Sequence, residues 1–229
     1  RIEKYRQDAA TYAISMAKEQ GVLNDEQAAS LTDYQSLIDS TRLFSTATSN
    51  LNLTTKFRLK MLLRLSLEKV AGPAIKKVEA ILHSDKFKTN IKWTLMNSLE
   101  DEFSTKVPKQ TRFYREQQTK LLGMKKTIFA TSWVTPSNID NLMEGEDREQ
   151  MESSIASICD SDGMSDNAFA QGFDKKNSIY ICPGTMLAMA VDAEMGTEES
   201  LENGLSQTLF HELAHTIDAK RGNPGEQFY

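Results

Sequence analysis

The sequence predicts an α+β fold, mostly α-helical, in which a helical lobe precedes a smaller region that carries the chemistry. Three observations lead there. Apolar residues recur at helical spacing over residues 1 to about 130. Between 167 and 182 the period changes to two short aromatic and β-branched runs. From about Glu198 a last helical pattern, with two histidines one turn apart, runs toward Arg221.

Taken in order, Ile2, Tyr5, Ala9, Tyr12, Ala13 and Met16 mark the first helix, and Gly21 supplies its stop. Asn24 or Asp25 caps a second helix running through Ala28, Leu31, Leu37 and Ile38. A third covers about 55–70, with Phe57, Met61, Leu62, Leu65 and Leu67 as its apolar positions. "AGPA" at 71–74 is expected to break it, and Pro73 to open the next helix through Ile75, Val78 and Leu82. Further helical pattern covers about 85–103 and 109–129. Pro136 and the acidic "EGED" at 144–147 change the texture, and Met151, Ile155 and Ile158 mark one more short helix. A soft boundary near 145–160 divides a helical lobe, 1–150, from a second region, 151–229. There "NAFAQGF" (167–173) and "SIYIC" (178–182), separated by "DKKN", read as a hairpin that ends at Pro183-Gly184. Thr197 caps the last helix, two glutamates in its first turn complement the dipole, and Gly222 and Pro224 stop it.

Composition excludes some functions. The 229 residues suffice for a sizeable core, and 39% apolar with 26% charged residues is ordinary for a globular protein. A net charge of −5 argues against nucleic acid as a partner, because backbone binding needs a concentrated basic surface. No apolar run reaches the ~18 residues of a membrane span. The chain opens on Arg1, so the lack of a signal peptide decides nothing. Cys159 and Cys182 leave open one disulfide or two unrelated buried thiols, with separate thiols the default. They do not make a metal-binding pair, since no His or Cys accompanies either at short spacing.

The last helix carries the sharpest signal. At 3.6 residues per turn, Leu201, Leu205, Leu209, Leu213 and Ile217 form one apolar stripe. Gly204, Thr208, His211, His215 and Asp218 form another face, so both imidazoles reach toward one metal ion. Glu212 stands beside them, and Asp218, one turn beyond His215, is placed to accept a ring N–H in support of the ligands. This is the His-Glu-x-x-His pattern of zinc peptidases, in which Glu212 would be the general base that takes a proton from an activated water. Two histidines four apart by chance is the bland alternative. It is weakened by their being two of only three in the chain, with Glu directly after the first. Small residues on this helix, Gly204 and Ala214, permit close approach.

A catalytic zinc takes three protein ligands, and this segment offers two. His83 lies in a helical pattern and reads as a packing or surface residue. The metzincin arrangement needs Gly and His where Asp218 and Arg221 stand, so that class is excluded. A carboxylate remains, which points to the gluzincin class and a zincin-like catalytic region. Glu226 follows the Gly-Asn-Pro-Gly stop and is not favoured. The expectation is therefore that the third ligand lies beyond Tyr229, and that 151–229 is the front part of a longer catalytic domain.

Three segments together resemble the neprilysin family of zinc endopeptidases. "NAF" at 167–169 is similar to that family's Asn-Ala-Phe/Tyr motif, and "NSIYICPGTML" at 177–187 to its Asn-x-Ile-x-x-x-Pro-x-x-x-Leu segment. "FHELAHTID" follows at the expected distance. Gly184 and Thr185 stand where the family more often has Ala and Gly. The resemblance covers about 165–220, and the helical 1–145 region is compatible with that family's α-helical lobe. It implies zinc as cofactor, His211 and His215 as ligands, and Glu212 as general base. Asn167 and Ala168 would hold the backbone of a peptide substrate, which would add as a strand to the edge near 167–173. The family's Glu-x-x-x-Asp motif and its later His are not present in these residues. A C-terminal fragment of the same protein is then the partner expected to complete the zinc site. The resemblance also implies a periplasmic or secreted location. The competing expectations are a catalytically incomplete peptide-binding or scaffold protein with the same fold, and a different gluzincin with a helical partner-binding region.

Overall fold

The computed structural model describes residues 2–42, 51–106, 112–159, 165–172, 176–193 and 198–221. The backbone divides into two compact units, Arg1–Lys76 and Lys77–Tyr229.

In the first unit, α1 (Ile2–Glu19) turns Ala9, Ala10, Ala13 and Ala17 inward with no exposed surface. A face of side chains this short lets neighbouring helices approach closely, and α2 (Asp25–Ala29) and α3 (Tyr34–Thr41) pack on α1. Gly21 closes α1 at φ +65, a conformation that only Gly takes freely. One helix was expected over residues 24–38; the structure has two. Asn24 and Gln27 form one capping box, and Asp33 and Ser36 form a second that restarts the chain. Gln7 holds the intervening loop, accepting from the Tyr34 N–H (3.2 Å) and donating to the Thr32 carbonyl (3.4 Å).

Helix α4 (Leu53–His83) corrects two further expectations. It runs unbroken through Pro73. The missing N–H there costs one bond to the Lys69 carbonyl, but Leu67 and Ala71 are buried before the ring and Val78 and Leu82 after it, and packing outweighs local propensity. Its buried row is Leu59, Leu62, Leu63 and Leu67, whereas Leu53, Phe57, Met61 and Leu65 are exposed. Of the five apolar positions expected over 55–70, only Leu62 and Leu67 are buried, whereas Val78 and Leu82 beyond Pro73 are buried as expected.

The second unit adds α5 (Asp85–Lys106), α6 (Arg112–Ala130), β1 (Ser132–Val134), α7 (Ile139–Leu142) and α8 (Gly145–Ile158). It continues with β2 (Ala168–Gly172), β3 (Asn177–Ile181), α9 (Pro183–Ala193) and α10 (Glu198–Arg221). The sheet order is β1-β3-β2. The β2–β3 hairpin is antiparallel, as expected; β1, which three residues are too few to announce, joins β3 in parallel. Register places Val134, Tyr180 and Phe169 on one face, in a core with Ile139, Met143 and Met151. By alternation Trp133, Ile179 and Ala170 occupy the other face. Helix α9 was not expected: Pro183 opens it as a first-turn proline, and Met186, Leu187, Ala190 and Val191 are buried. Cys159 and Cys182 form a disulfide (Cα–Cα 5.5 Å) that ties the end of α8 to the end of β3, replacing the default of separate thiols. Among the described residues no helix is long and apolar enough to cross a membrane. Thr197, Gly222 and Pro224, the expected cap and stop of α10, lie outside the described residues, as does the expected start of α6 at 109–111.

Candidate metal centre

Helix α10 is positioned by its apolar stripe. Leu201, Leu205, Leu209, Leu213 and Ile217 are all buried, against β2, β3, α9, α5 and α6. Gly204 lets α9 come close, since a Cβ there would stand 2.9 Å from the Met189 sulfur. With the stripe anchored, the other face is fixed in rotation.

On it, the Nε2 atoms of His211 and His215 are 3.0 Å apart, with the rings near perpendicular at 89°. Two imidazoles bound to one tetrahedral zinc ion put their nitrogens about 3.3 Å apart, so small rotations bring both to a shared ion. His211 is exposed and His215 half-buried, which leaves the approach open. Potential donor atoms of His211, Glu212 and His215 all lie within 4.8 Å of one another, the one such group among the described residues. A metal ion is thus compatible with the donor set.

Glu212 differs from its neighbours in being buried, at 7% exposed. Burial pushes its carboxyl up to about 7, against the opposing pull of a hydrogen bond from the Ala170 N–H. A carboxyl with that value exchanges protons readily near neutrality.

The Ala170 bond follows from the ladder. Cys182 N–H donates to the Asn167 carbonyl (3.1 Å), so Asn167 is a hydrogen-bonded position and the alternation directs the N–H groups of Ala168 and Ala170 away from β3. One is taken by the Asn167 Oδ1 (2.9 Å), the other by Glu212. Strand β2 is the sheet edge beside α10, and of its two outward donors the Ala170 N–H is the one directed to Glu212.

The structure therefore brings His211, Glu212 and His215 together and sets β2 beside them. Asn167 is exposed at the head of that strand, whereas the Ala168 side chain is buried, leaving its backbone as the part able to meet a ligand. Asp218 belongs to α10, but its side chain lies outside the described residues, and so does Glu226. His83 stands apart from the group, held by Thr135 Oγ1 (2.9 Å) and Asn138 Nδ2 (3.2 Å), in keeping with a packing role. Sequence reasoning missed two residues, Ala170 and Thr185. The Thr185 hydroxyl donates to the Asn167 carbonyl at 2.6 Å. The resemblance passes through both positions, but only the folded hairpin shows what they touch.

Comparison with protein-family models, with curated proteins and with solved structures gave no match for this chain.

Proposed function

We propose that this protein is a zinc-dependent endopeptidase of the neprilysin type, acting on extended peptides. The observation that carries the reading is the meeting of three elements at one place: a pair of imidazoles, a buried carboxyl of near-neutral pKa, and the outward N–H of an edge strand bonded to that carboxyl. The Asn167-Ala168 segment and the spacing to "FHELAHTID" give the family resemblance its specificity.

His211 and His215 would hold the zinc, which when bound would supply a Lewis acid to polarise the scissile carbonyl and acidify water. The ligand expected to complete the set, a carboxylate, is to be sought outside the described residues. Glu212 accepts the proton of the attacking water on its carboxylate and returns it to the leaving nitrogen. Strand β2 lines up the peptide by edge pairing, and the exposed Asn167 carboxamide offers both a donor and an acceptor to the peptide backbone. The disulfide fits an oxidising compartment and supports a periplasmic or secreted location.

The test is zinc content by elemental analysis, on protein purified without chelator, beside cleavage of a fluorogenic peptide library by wild type and Glu212→Gln. Stoichiometric zinc in both, with cleavage reduced by about 10²–10⁴-fold in the variant, is the expected result. Histidine-to-alanine substitution at 211 or 215 is expected to release the metal. Zinc without cleavage would favour the alternative, a peptide-binding scaffold that keeps the fold. Absence of both zinc and cleavage would overturn the proposal.

A further inference from the structure

We infer that Thr185 is a positioning residue that sets how Asn167 presents its carboxamide to a bound peptide, an inference that rests on the peptidase reading. Thr185 lies in the first turn of α9, with its N–H on the Cys182 carbonyl at 3.0 Å. Its hydroxyl donates to the Asn167 carbonyl (2.6 Å), which also receives the Cys182 N–H (3.1 Å). One carbonyl is therefore held by two donors, from the residue between β3 and α9 and from the first turn of α9. Thr185 is 1% exposed, so the donor end of this part-buried bond is shielded from water. The disulfide at Cys182 anchors the same junction to α8.

The consequence is directional. With its carbonyl drawn toward the β3–α9 junction, Asn167 is left with its side chain at the open edge of β2, where Oδ1 already covers the Ala168 N–H. A peptide that pairs with this edge meets a carboxamide whose backbone is fixed beforehand, so less ordering is left to binding. The neprilysin family more often has Gly at this position, so the resemblance does not supply the contact.

Thr185→Val keeps the shape and removes the hydroxyl, and the Asn167 carbonyl retains its bond from Cys182. For peptides long enough to reach Asn167, KM is expected to rise about fivefold to tenfold, the worth of one such hydrogen bond, with kcat within about twofold. Thr185→Ser should restore KM, and Thr185→Ala should match Val. Because Thr185 acts through Asn167, the double variant with Asn167→Ala should bind no worse than Asn167→Ala alone. Independent losses that multiply in the double variant, or kcat falling in step with 1/KM, would overturn the inference in favour of general loosening.

A second readout needs no activity. Amide hydrogen exchange at Ala168, followed by NMR, should quicken at least several-fold in Thr185→Val and return to normal in Thr185→Ser. Quickened exchange in a protein that cleaves nothing would sink the peptidase reading and leave the positioning role standing. Unchanged exchange and unchanged KM, with zinc and the Glu212→Gln effect intact, would sink the positioning role alone.

Discussion

At Asn138 the hydrogen bonds leave one orientation of the carboxamide. The Thr135 N–H points at Oδ1 (2.8 Å), so Nδ2 faces the Trp133 carbonyl (3.0 Å) and His83 Nε2 (3.2 Å). Nδ2 is a donor, so His83 Nε2 must accept, and the imidazole is neutral with its proton on Nδ1. Burial holds the His83 pKa below the ordinary range; Glu79 pulls it up, and Lys88 adds a further push down. A depressed histidine pKa means that, as pH falls through 6.5, the unfolded chain takes up a proton that the folded chain resists. The stability this group contributes is full above 6.5 and is lost as pH falls toward the lower folded value. Urea midpoints between pH 7.5 and 5 should fall more steeply for wild type than for His83→Gln, and parallel slopes would remove this account. Helix α10 shows the same dependence on surroundings: Glu212 and His211 are sequence neighbours, yet one is buried and the other exposed, because α10 turns about 100° between them.

At the scale of single helices, α4 and α10 make opposite points. Proline in a helix interior costs about 3 kcal/mol through the lost N–H and the ring's clash with the preceding turn. Pro73→Ala should therefore stabilise the chain, by about 1–3 kcal/mol after the greater freedom of the unfolded alanine is set against the gain. A urea midpoint that falls would show that the ring is needed where it stands. Helix α10 depends on its stripe instead. Leu209, with no exposed surface, should cost about 2–5 kcal/mol when cut to Ala, while Leu65→Ala on the exposed row of α4 should stay within about 0.5 kcal/mol. Equal losses at the two positions would contradict the burial pattern.

At the scale of the whole molecule, the disulfide is the one covalent link between distant elements among the described residues. It spans a sequence separation of 23, and closing a loop of that length in the unfolded chain is worth about 3 kcal/mol. Reduction, or a Cys159→Ser, Cys182→Ser pair, should lower unfolding free energy by about that amount. Under the proposed function, peptide affinity should fall with it, since Cys182 also carries a bond to Asn167. Stability unchanged by reductant would mean that packing alone holds α8 to β3.

What the sequence determined by itself was what short-range geometry governs. The i, i+4 spacing put His211 and His215 on one face and the leucine stripe on another, because helical period is a local property. The hairpin was legible for a similar reason, two strands joined across a short polar turn. Only the tertiary structure decided the rest. Strand β1 is three residues whose signal comes from pairing with β3, some 46 positions on, as in Ser132 with Ser178. Two apolar rows run along α4, and packing chose which to bury. The Ala170 bond to Glu212 and the Thr185 bond to Asn167 join residues whose meeting has no period, because backbone groups carry no side-chain signature. Local chemistry thus named the candidate metal-binding side chains, and long-range packing supplied the strand edge beside them and the burial of Glu212.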